Sequence, residues 1–297
     1  MSDHHHHDGQ QLARDIAAME RVAIGRRRAL GLFGGVGATA LLAGCGGSDS
    51  SGSGSTGTTV ATTTPTPSSS VSATGSTSSA CTTYASETNG PYPADGTNTS
   101  RGLSSNVLVE SGVVRSDIRP SFLGSSTSVA EGVELTITIT LADANNACAA
   151  LAGYAVYIWH CDVEGDYSLY DLPNESYLRG VQVSDANGQV TFTTIWPGCY
   201  NGRFPHIHFE VYSSLANATS GRYALLISQF AMPDAENQAV YATSAYATSK
   251  SNYVGESIAT DNVFGDNTAA QKEAMTMIAT GSAAAGYSAV ATVGIAT

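Results

Sequence analysis

Only seven histidines occur in the chain, and two of them stand one residue apart in Arg203-Phe204-Pro205-His206-Ile207-His208-Phe209-Glu210-Val211-Tyr212. The stretch alternates as a β-strand does. Ile207, Phe209 and Val211 point to one face, the natural core face. His206 and His208 point together to the other, roughly 7 Å apart along the strand. Two imidazoles on one strand face can share a single cation, whereas histidines at adjacent positions would point apart. The same spacing also suits a polar strand face with hydrogen-bonded histidines. The surroundings add two phenols, Tyr200 in "WPGCYNGRFPHIH" and Tyr167 in "IWHCDVEGDYSLYD" (residues 158–171).

The elements that must position these groups read as strands. In "VELTITITL" (133–141) Val133, Leu135, Ile137, Ile139 and Leu141 face one way, and Glu and Thr the other. "GYAVYIWH" (153–160) is a more fully buried strand. "SDANGQVTFTTI" (184–195) is a turn built on Asn187-Gly188 followed by a strand. "HIHFEVY" and "GRYALLISQF" (221–230) are the next two. Late strands are expected at 274–279 and 289–295, with short helices near 235–247 and 268–274. Several short strands with turn signals between them predict an all-β, two-sheet β-sandwich with few short helices. No internal repeat is present.

Composition limits the partners. The chain has 297 residues and a formal charge of −12. An acidic balance with no basic patch argues against nucleic acid. Only 13% of residues are charged, while Gly, Ser, Thr and Ala abound, which suits an exported β protein.

The N-terminus specifies that export. "GRRRALGLFGGVGATALLAGCGG" (25–47) has a basic start, an apolar glycine-rich run and small residues leading to a cysteine. The run is too short and too glycine-rich for a comfortable membrane span. Arg26, Arg27 and Arg28 resemble a twin-arginine signal, and Leu42-Ala43-Gly44-Cys45 resembles a bacterial lipobox. The reading is an export signal over 1–44, with a lipid on Cys45 as the membrane contact. An ordinary signal cut nearby is the other account. Residues 45–79 are mostly Gly, Ser, Thr, Ala, Val and Pro and form a low-complexity tether. Residues 80–297 are the folded domain. The protein is expected in the bacterial periplasm or at the cell surface, with no obvious protein partner. The histidine run at 4–7 lies ahead of the signal and would be lost on export.

The first 44 residues hold 5 basic and 4 acidic residues and four of the histidines, so the remainder carries 8 basic against 21 acidic residues, a net charge of −13. Its histidines are His160, His206 and His208. Four cysteines follow Cys45: Cys81, Cys148, Cys161 and Cys199. An even count in an exported chain suggests up to two disulfides, and the sequence does not choose among the three pairings. Cys81–Cys148 with Cys161–Cys199 is the expectation.

Four segments together resemble the intradiol ring-cleavage dioxygenases, the family of catechol, hydroxyquinol and protocatechuate dioxygenases, and most closely their exported single-domain type. They are "TNGPYPADG" (88–96), "IWHCDVEGDYS" (158–168), "YLRGVQVSDANGQVTFTTIWPGCYNGRFPHIHFEV" (177–211) and "SQFAMPD" (228–234). The resemblance covers most of residues 81–297. It implies one non-haem Fe(III) per chain held by Tyr167, Tyr200, His206 and His208. That set suits the ion, because Fe(III) is a hard cation and phenolate oxygen a hard anionic donor. The resemblance also implies the reaction. A catechol-type aromatic binds the iron through both oxygens and displaces Tyr167, which doubles as a base. O2 is then inserted between the two hydroxyl-bearing carbons, giving a cis,cis-muconate-type acid.

Further residues follow by motif position. Arg203 matches an arginine beside the substrate, where a fixed cation would stabilise charge developing on the ring. Gln229 matches a pocket glutamine, Trp159 a pocket-wall aromatic, and Pro91 and Tyr92 a segment bordering the pocket. Each has a plainer account: a surface ion pair for Arg203, a core side chain for Trp159, a β-turn for Pro91 and Tyr92. Tyr170 competes with Tyr167, though the Gly-x-Tyr-Ser spacing favours Tyr167. His160 falls on the strand face opposite Trp159 and reads as a structural hydrogen-bonder. Cys199 departs from the family, which often carries a bulky aromatic there. The N-terminal helical dimerisation region of cytosolic catechol dioxygenases is absent. A non-catalytic β-sandwich lipoprotein that binds catechols or metal is the alternative. A zinc hydrolase is more distant, since only Glu210 offers a nearby carboxylate.

Overall fold

A computed structural model describes residues 82–100 and 103–297. The export signal, Cys45, the tether and Cys81 lie outside the described residues. In chain order the first strands are β1 (Asp95–Ser100), β2 (Leu103–Asn106), β3 (Glu134–Asp143), β4 (Ala149–Ala150) and β5 (Ala155–Trp159). They are followed by β6 (Arg179–Val183), β7 (Gln189–Ile195), β8 (His206–Tyr212) and β9 (Leu226–Ala231). Helices α1 (Asp234–Tyr241), α2 (Ala247–Asn252) and α3 (Ala269–Met275) precede β10 (Ile278–Ser282) and β11 (Gly286–Ile295).

The strands form two principal sheets and a small β1–β2 ribbon. In one sheet β10, β11 and β3 follow in order, with β4 and β7 both paired to β3. The other runs β6-β5-β8-β9 and is antiparallel throughout. Leu135, Ile137, Ile139 and Leu141 of β3 are fully buried, as their alternation predicts. They join Phe192 of β7, Val156 and Ile158 of β5, Ile207, Phe209 and Val211 of β8 and Phe230 of β9 in one core between the sheets. The all-β sandwich with few short helices is therefore the architecture. No helix among the described residues is long and apolar enough to cross a membrane.

The second sheet is buried on both faces. Every residue of β5 and of β8 is buried. The face away from the core carries Tyr157, Trp159, His206, His208 and Glu210, and loops cover it. Tyr92, Val107, Leu108, Tyr167, Tyr170 and Tyr200 from those loops pack there with Tyr157 and Trp159 as a second cluster.

Several boundaries differ from the sequence expectation. The run 221–230 opens not as strand but as a 3-10 turn, Gly221–Tyr223, capped by Ser220, and β9 starts at Leu226. A side chain at Gly221 would strike Asp95, so this turn is pressed against the β1 segment. The helical stretch near 235–247 is two helices joined by a 3-10 turn, Ser244–Tyr246. The strand expected from 274 begins at Ile278, because α3 runs to Met275 from a capping box between Thr268 and Gln271.

The disulfide expectation is corrected in part. Cys148 is disulfide-bonded. Cys161 and Cys199 are both buried free thiols, each turned to backbone carbonyls: Gly198 for Cys161, and Tyr200 and Arg203 for Cys199.

His160 ties the sheets together. Its Nε2 lies 2.7 Å from the Thr194 hydroxyl on β7, and its Nδ1 lies 2.8 Å from the Cys161 carbonyl. Burial pushes its pKa down to about 4. Between that value and the ~6.5 of an unfolded chain, unfolding takes up a proton, so stability falls as pH falls. In urea denaturation of the metal-free protein, His160 should account for about 2 kcal/mol of stability lost between pH 7 and pH 5. His160→Gln should flatten the curve by that amount; an unchanged slope would contradict the assignment.

Candidate metal centre

The pleat of β8 sends His206, His208 and Glu210 to the loop-covered face, and register aligns other strands with them. His208 stands opposite Trp159 of β5 on one side and Gln229 of β9 on the other. Trp159 in turn stands opposite Arg179 of β6. One row across four strands therefore reads Arg179, Trp159, His208, Gln229.

The two histidine rings converge at their tips. His206 Nε2 lies 3.1 Å from His208 Nε2 and 3.5 Å from the Tyr200 hydroxyl. His206 Nδ1 donates to the Phe204 carbonyl at 2.7 Å, which leaves the lone pair on Nε2. Burial, then the positive charge of Arg203, pushes the His206 pKa down to about 3. Burial pushes His208 down as well, with His206 and Arg203 adding to it. Both rings are thus neutral at ordinary pH, the form that ligates metals.

Two loops bring the phenols to the histidines. The first, 161–166, is a turn organised by Asp162, whose Oδ1 accepts the Glu164 and Asp166 N–H groups and whose Oδ2 accepts the Tyr177 hydroxyl. Gly165 has φ +92, and a Cβ there would lie 3.1 Å from Tyr200 Cβ. The second loop passes so close to Asp162 that a Cβ at Gly198 would sit 2.1 Å from its carbonyl oxygen. These two glycines let the loops touch. The Tyr167 ring lies edge-on to Tyr200 at 5.9 Å and to His208 at 6.2 Å between centroids.

Arg203 is 1% exposed and lies beside this group. Its Nη1 is 3.5 Å from the Tyr200 hydroxyl, and its Nη2 donates to Gln229 Oε1 at 2.8 Å. Gln229 Nε2 donates to the Thr88 carbonyl at 2.9 Å, which ties the pair to the segment holding Pro91 and Tyr92. Arg203 is therefore not a surface ion pair. Its partner is the buried Asp261, with Nε to Oδ2 at 2.9 Å.

The remaining expected residues take distinct places. Trp159 is fully buried and sandwiched: its ring stacks on His208 at 4.8 Å and on Tyr157 at 4.9 Å. Its Nε1 has no hydrogen-bond partner among the described residues. Tyr92 packs between Tyr167 at 4.9 Å and Tyr170 at 4.8 Å. The Pro91 carbonyl accepts from Asn98. Tyr170 does not compete for the centre, since its hydroxyl accepts the Ala94 N–H and donates to Asn98. Glu210 turns to Tyr212, and burial with the nearby Asp95 holds its carboxyl well above the usual range, hence protonated.

Two residues escaped the sequence reading. Asp261 is one. Arg179 is the other: fully buried, it donates to the Ser168 hydroxyl and carbonyl and to the Pro93 carbonyl, joining the Tyr167 loop to the Tyr92 segment. Arg179 opens β6, a strand absent from the sequence expectation, so no pattern there marked its charge for burial.

The donor set fits a hard cation. Two ligands held at about 2.1 Å from one ion, at right angles, lie about 3 Å apart, which matches the facing Nε2 atoms. Among the described residues no group of three His, Cys, Asp or Glu side chains is placed to hold a metal; the Tyr200 hydroxyl lies 3.5 Å from His206 Nε2. A phenolate oxygen in such a set would suit a hard ion better than zinc.

Comparison with known proteins bears on the fold. An intradiol ring-cleavage dioxygenase from Tetranychus urticae superposes with a TM-score of 0.54 at 24% identity, over 73% of this chain and 95% of that one. A further dioxygenase crystal structure superposes with a TM-score of 0.53 at 25% identity, over the same shares. No protein-family model and no curated protein matches the sequence.

The loop contact gives a prediction. Gly165→Ala forces a positive φ on alanine and presses Cβ onto Tyr200, at a cost of about 1–3 kcal/mol. Gly153, with φ +82 and open space around it, isolates the backbone term. Urea denaturation and ferric titration of Gly165→Ala and Gly153→Ala should show the larger destabilisation, and weakened iron loading, in Gly165→Ala. Equal iron loading in both would contradict the role given to the contact.

Proposed function

We propose that this chain, which has the fold of the intradiol ring-cleavage dioxygenases, is itself such an enzyme. It cleaves catechol-type aromatics between the two hydroxyl-bearing carbons with O2 and one Fe(III) per chain, giving cis,cis-muconate-type acids. The observation that carries this reading is the convergence of His206 Nε2, His208 Nε2 and the Tyr200 hydroxyl, with Tyr167 packed against them.

Tyr167, Tyr200, His206 and His208 would hold the iron. Ferric iron, when bound, supplies the Lewis acidity that makes a catechol acidic and its ring reactive towards O2. The chain supplies the rest. The Phe204 carbonyl keeps the proton of His206 on Nδ1, so Nε2 is always the free nitrogen. Held as a phenolate by the bound cation, Tyr167 would take a substrate proton at Oη on leaving it, and the Tyr92 ring packs against Tyr167. Arg203 places a permanent cation beside Tyr200, where it stabilises negative charge developing on the ring. Gln229 orients that guanidinium through its Oε1. Burial of the whole group excludes bulk water, which strengthens each of these interactions.

The same reading places the enzyme outside the cytoplasm. Residues 1–44 would direct export and a lipid on Cys45 would anchor it, with 45–79 as the tether. A twin-arginine route exports folded proteins, which would allow iron to be loaded before export.

The visible spectrum of the purified protein in air tests the proposal. A tyrosinate-to-iron charge-transfer band should shift on adding catechol, then recover as muconate absorbance grows. A band that shifts with no turnover across several catechols would favour a binding lipoprotein. Failure to take up ferric iron would overturn the iron site.

A further inference from the structure

We propose that Asp261 is a positioning residue for the ring cleavage proposed above, on which this inference rests: it fixes which edge of the Arg203 guanidinium faces the metal centre. A guanidinium is a planar fork with five N–H donors, and its usable direction depends on which of them are tied. In Arg203 the tied edge is Nε and Nη2. Nε donates to Asp261 Oδ2 at 2.9 Å, and Nη2 bridges Asp261 Oδ1 at 3.4 Å and Gln229 Oε1 at 2.8 Å. With that edge held, Nη1 is directed towards the Tyr200 hydroxyl at 3.5 Å.

Asp261 is itself held rigidly. Its Oδ1 accepts the Val263 and Phe264 N–H groups at 2.8 and 2.9 Å, so the carboxylate caps its own loop. Its Oδ2 also accepts the Phe204 N–H at 2.7 Å. Phe204 is the residue whose carbonyl holds His206 Nδ1. One carboxylate thus fixes the direction of the cation and braces the backbone that fixes a ring of the metal centre. A Cβ at Gly265 would lie 2.5 Å from the Asp261 carbonyl oxygen, so the tight turn admits little else there.

Charge gives the second reason. Arg203 is a buried cation, and a buried charge without a partner is costly. Burial raises the Asp261 carboxyl, but the charge and hydrogen bonds of Arg203, together with the Phe204 and Phe264 N–H groups, outweigh it and hold the carboxyl below its usual range. Asp261 therefore stays ionised. It cancels the charge of Arg203 at long range while Nη1 stays beside the Tyr200 hydroxyl. Glu256 also feels Arg203, yet it is the less buried of the two carboxylates, and its acceptor contact is with the Gly202 backbone.

Asp261→Asn removes the charge and one of the two acceptor oxygens: with the amide oxygen kept on the Val263 and Phe264 N–H groups, the amide nitrogen, a donor, faces the Phe204 N–H and Arg203 Nε. The first readout needs no iron. In the nitrogen-15 spectrum of the metal-free full chain, the Arg203 Nε–H should be protected from solvent exchange, assigned by its loss in Arg203→Lys. Asp261→Asn should accelerate that exchange at least tenfold, and Glu256→Gln should leave it unchanged. The second readout is kinetic. Asp261→Asn should lower kcat for catechol, expressed per bound iron, at least tenfold with KM changed less than threefold. Adding Asp261→Asn to Arg203→Lys should cause little further loss. Protected exchange retained in Asp261→Asn, or losses that simply multiply in the double variant, would overturn the inference. If the iron-loaded protein cleaves no catechol, the function falls, and the exchange measurement alone decides whether Asp261 orients Arg203.

Discussion

β8 is buried on both faces, and its pleat divides the protein into a core and a site. Ile207, Phe209 and Val211 enter the apolar core, where the stacked pair Phe209 and Phe230 sits at 4.2 Å. His206, His208 and Glu210 enter the second cluster, among tyrosines and tryptophan. A one-residue slip of register would exchange the two sets, burying imidazoles in the core and phenylalanine in the site. The stability of the core therefore holds the chemistry in place. β5 on one side and β9 on the other extend the constraint, since Trp159 and Gln229 flank His208 in the same row.

Polar groups at this depth are tolerated because nearly every one is assigned a partner. Arg203 has Asp261 and Gln229; Arg179 has carbonyls and hydroxyls of the two loops it joins. Glu210 keeps its proton between Tyr212 and Asp95. In the histidine pair the two Nε2 atoms face each other at 3.1 Å, and His208 Nδ1 is buried without a hydrogen-bond partner among the described residues.

The strands were legible wherever periodicity was strong. β3 alternates in sequence and alternates in burial, and His-x-His needed only the strand period to place both rings on one face. Tyr167, Tyr200, His206, His208, Arg203 and Gln229 were picked out through motif resemblance, and the structure places them near one another. Asp261 was not legible, because it lies 58 residues from Arg203 in a loop with no period to read. The Cys161–Cys199 bridge was inferred from parity alone, which carries no geometry; both thiols instead point to carbonyls. The late boundaries failed because a capped helix competes with a short apolar strand run over 269–278, and local propensity does not separate them.

The central claim is that two phenols and two imidazoles on the loop-covered face of β8 bind one ferric ion. Anomalous diffraction at the iron edge, on crystals of the iron-loaded protein, tests it most directly. The account predicts a single peak within coordination distance of the Tyr167 and Tyr200 hydroxyl oxygens and the His206 and His208 Nε2 atoms. A peak elsewhere, or one contacting the histidines but neither tyrosine, would contradict it.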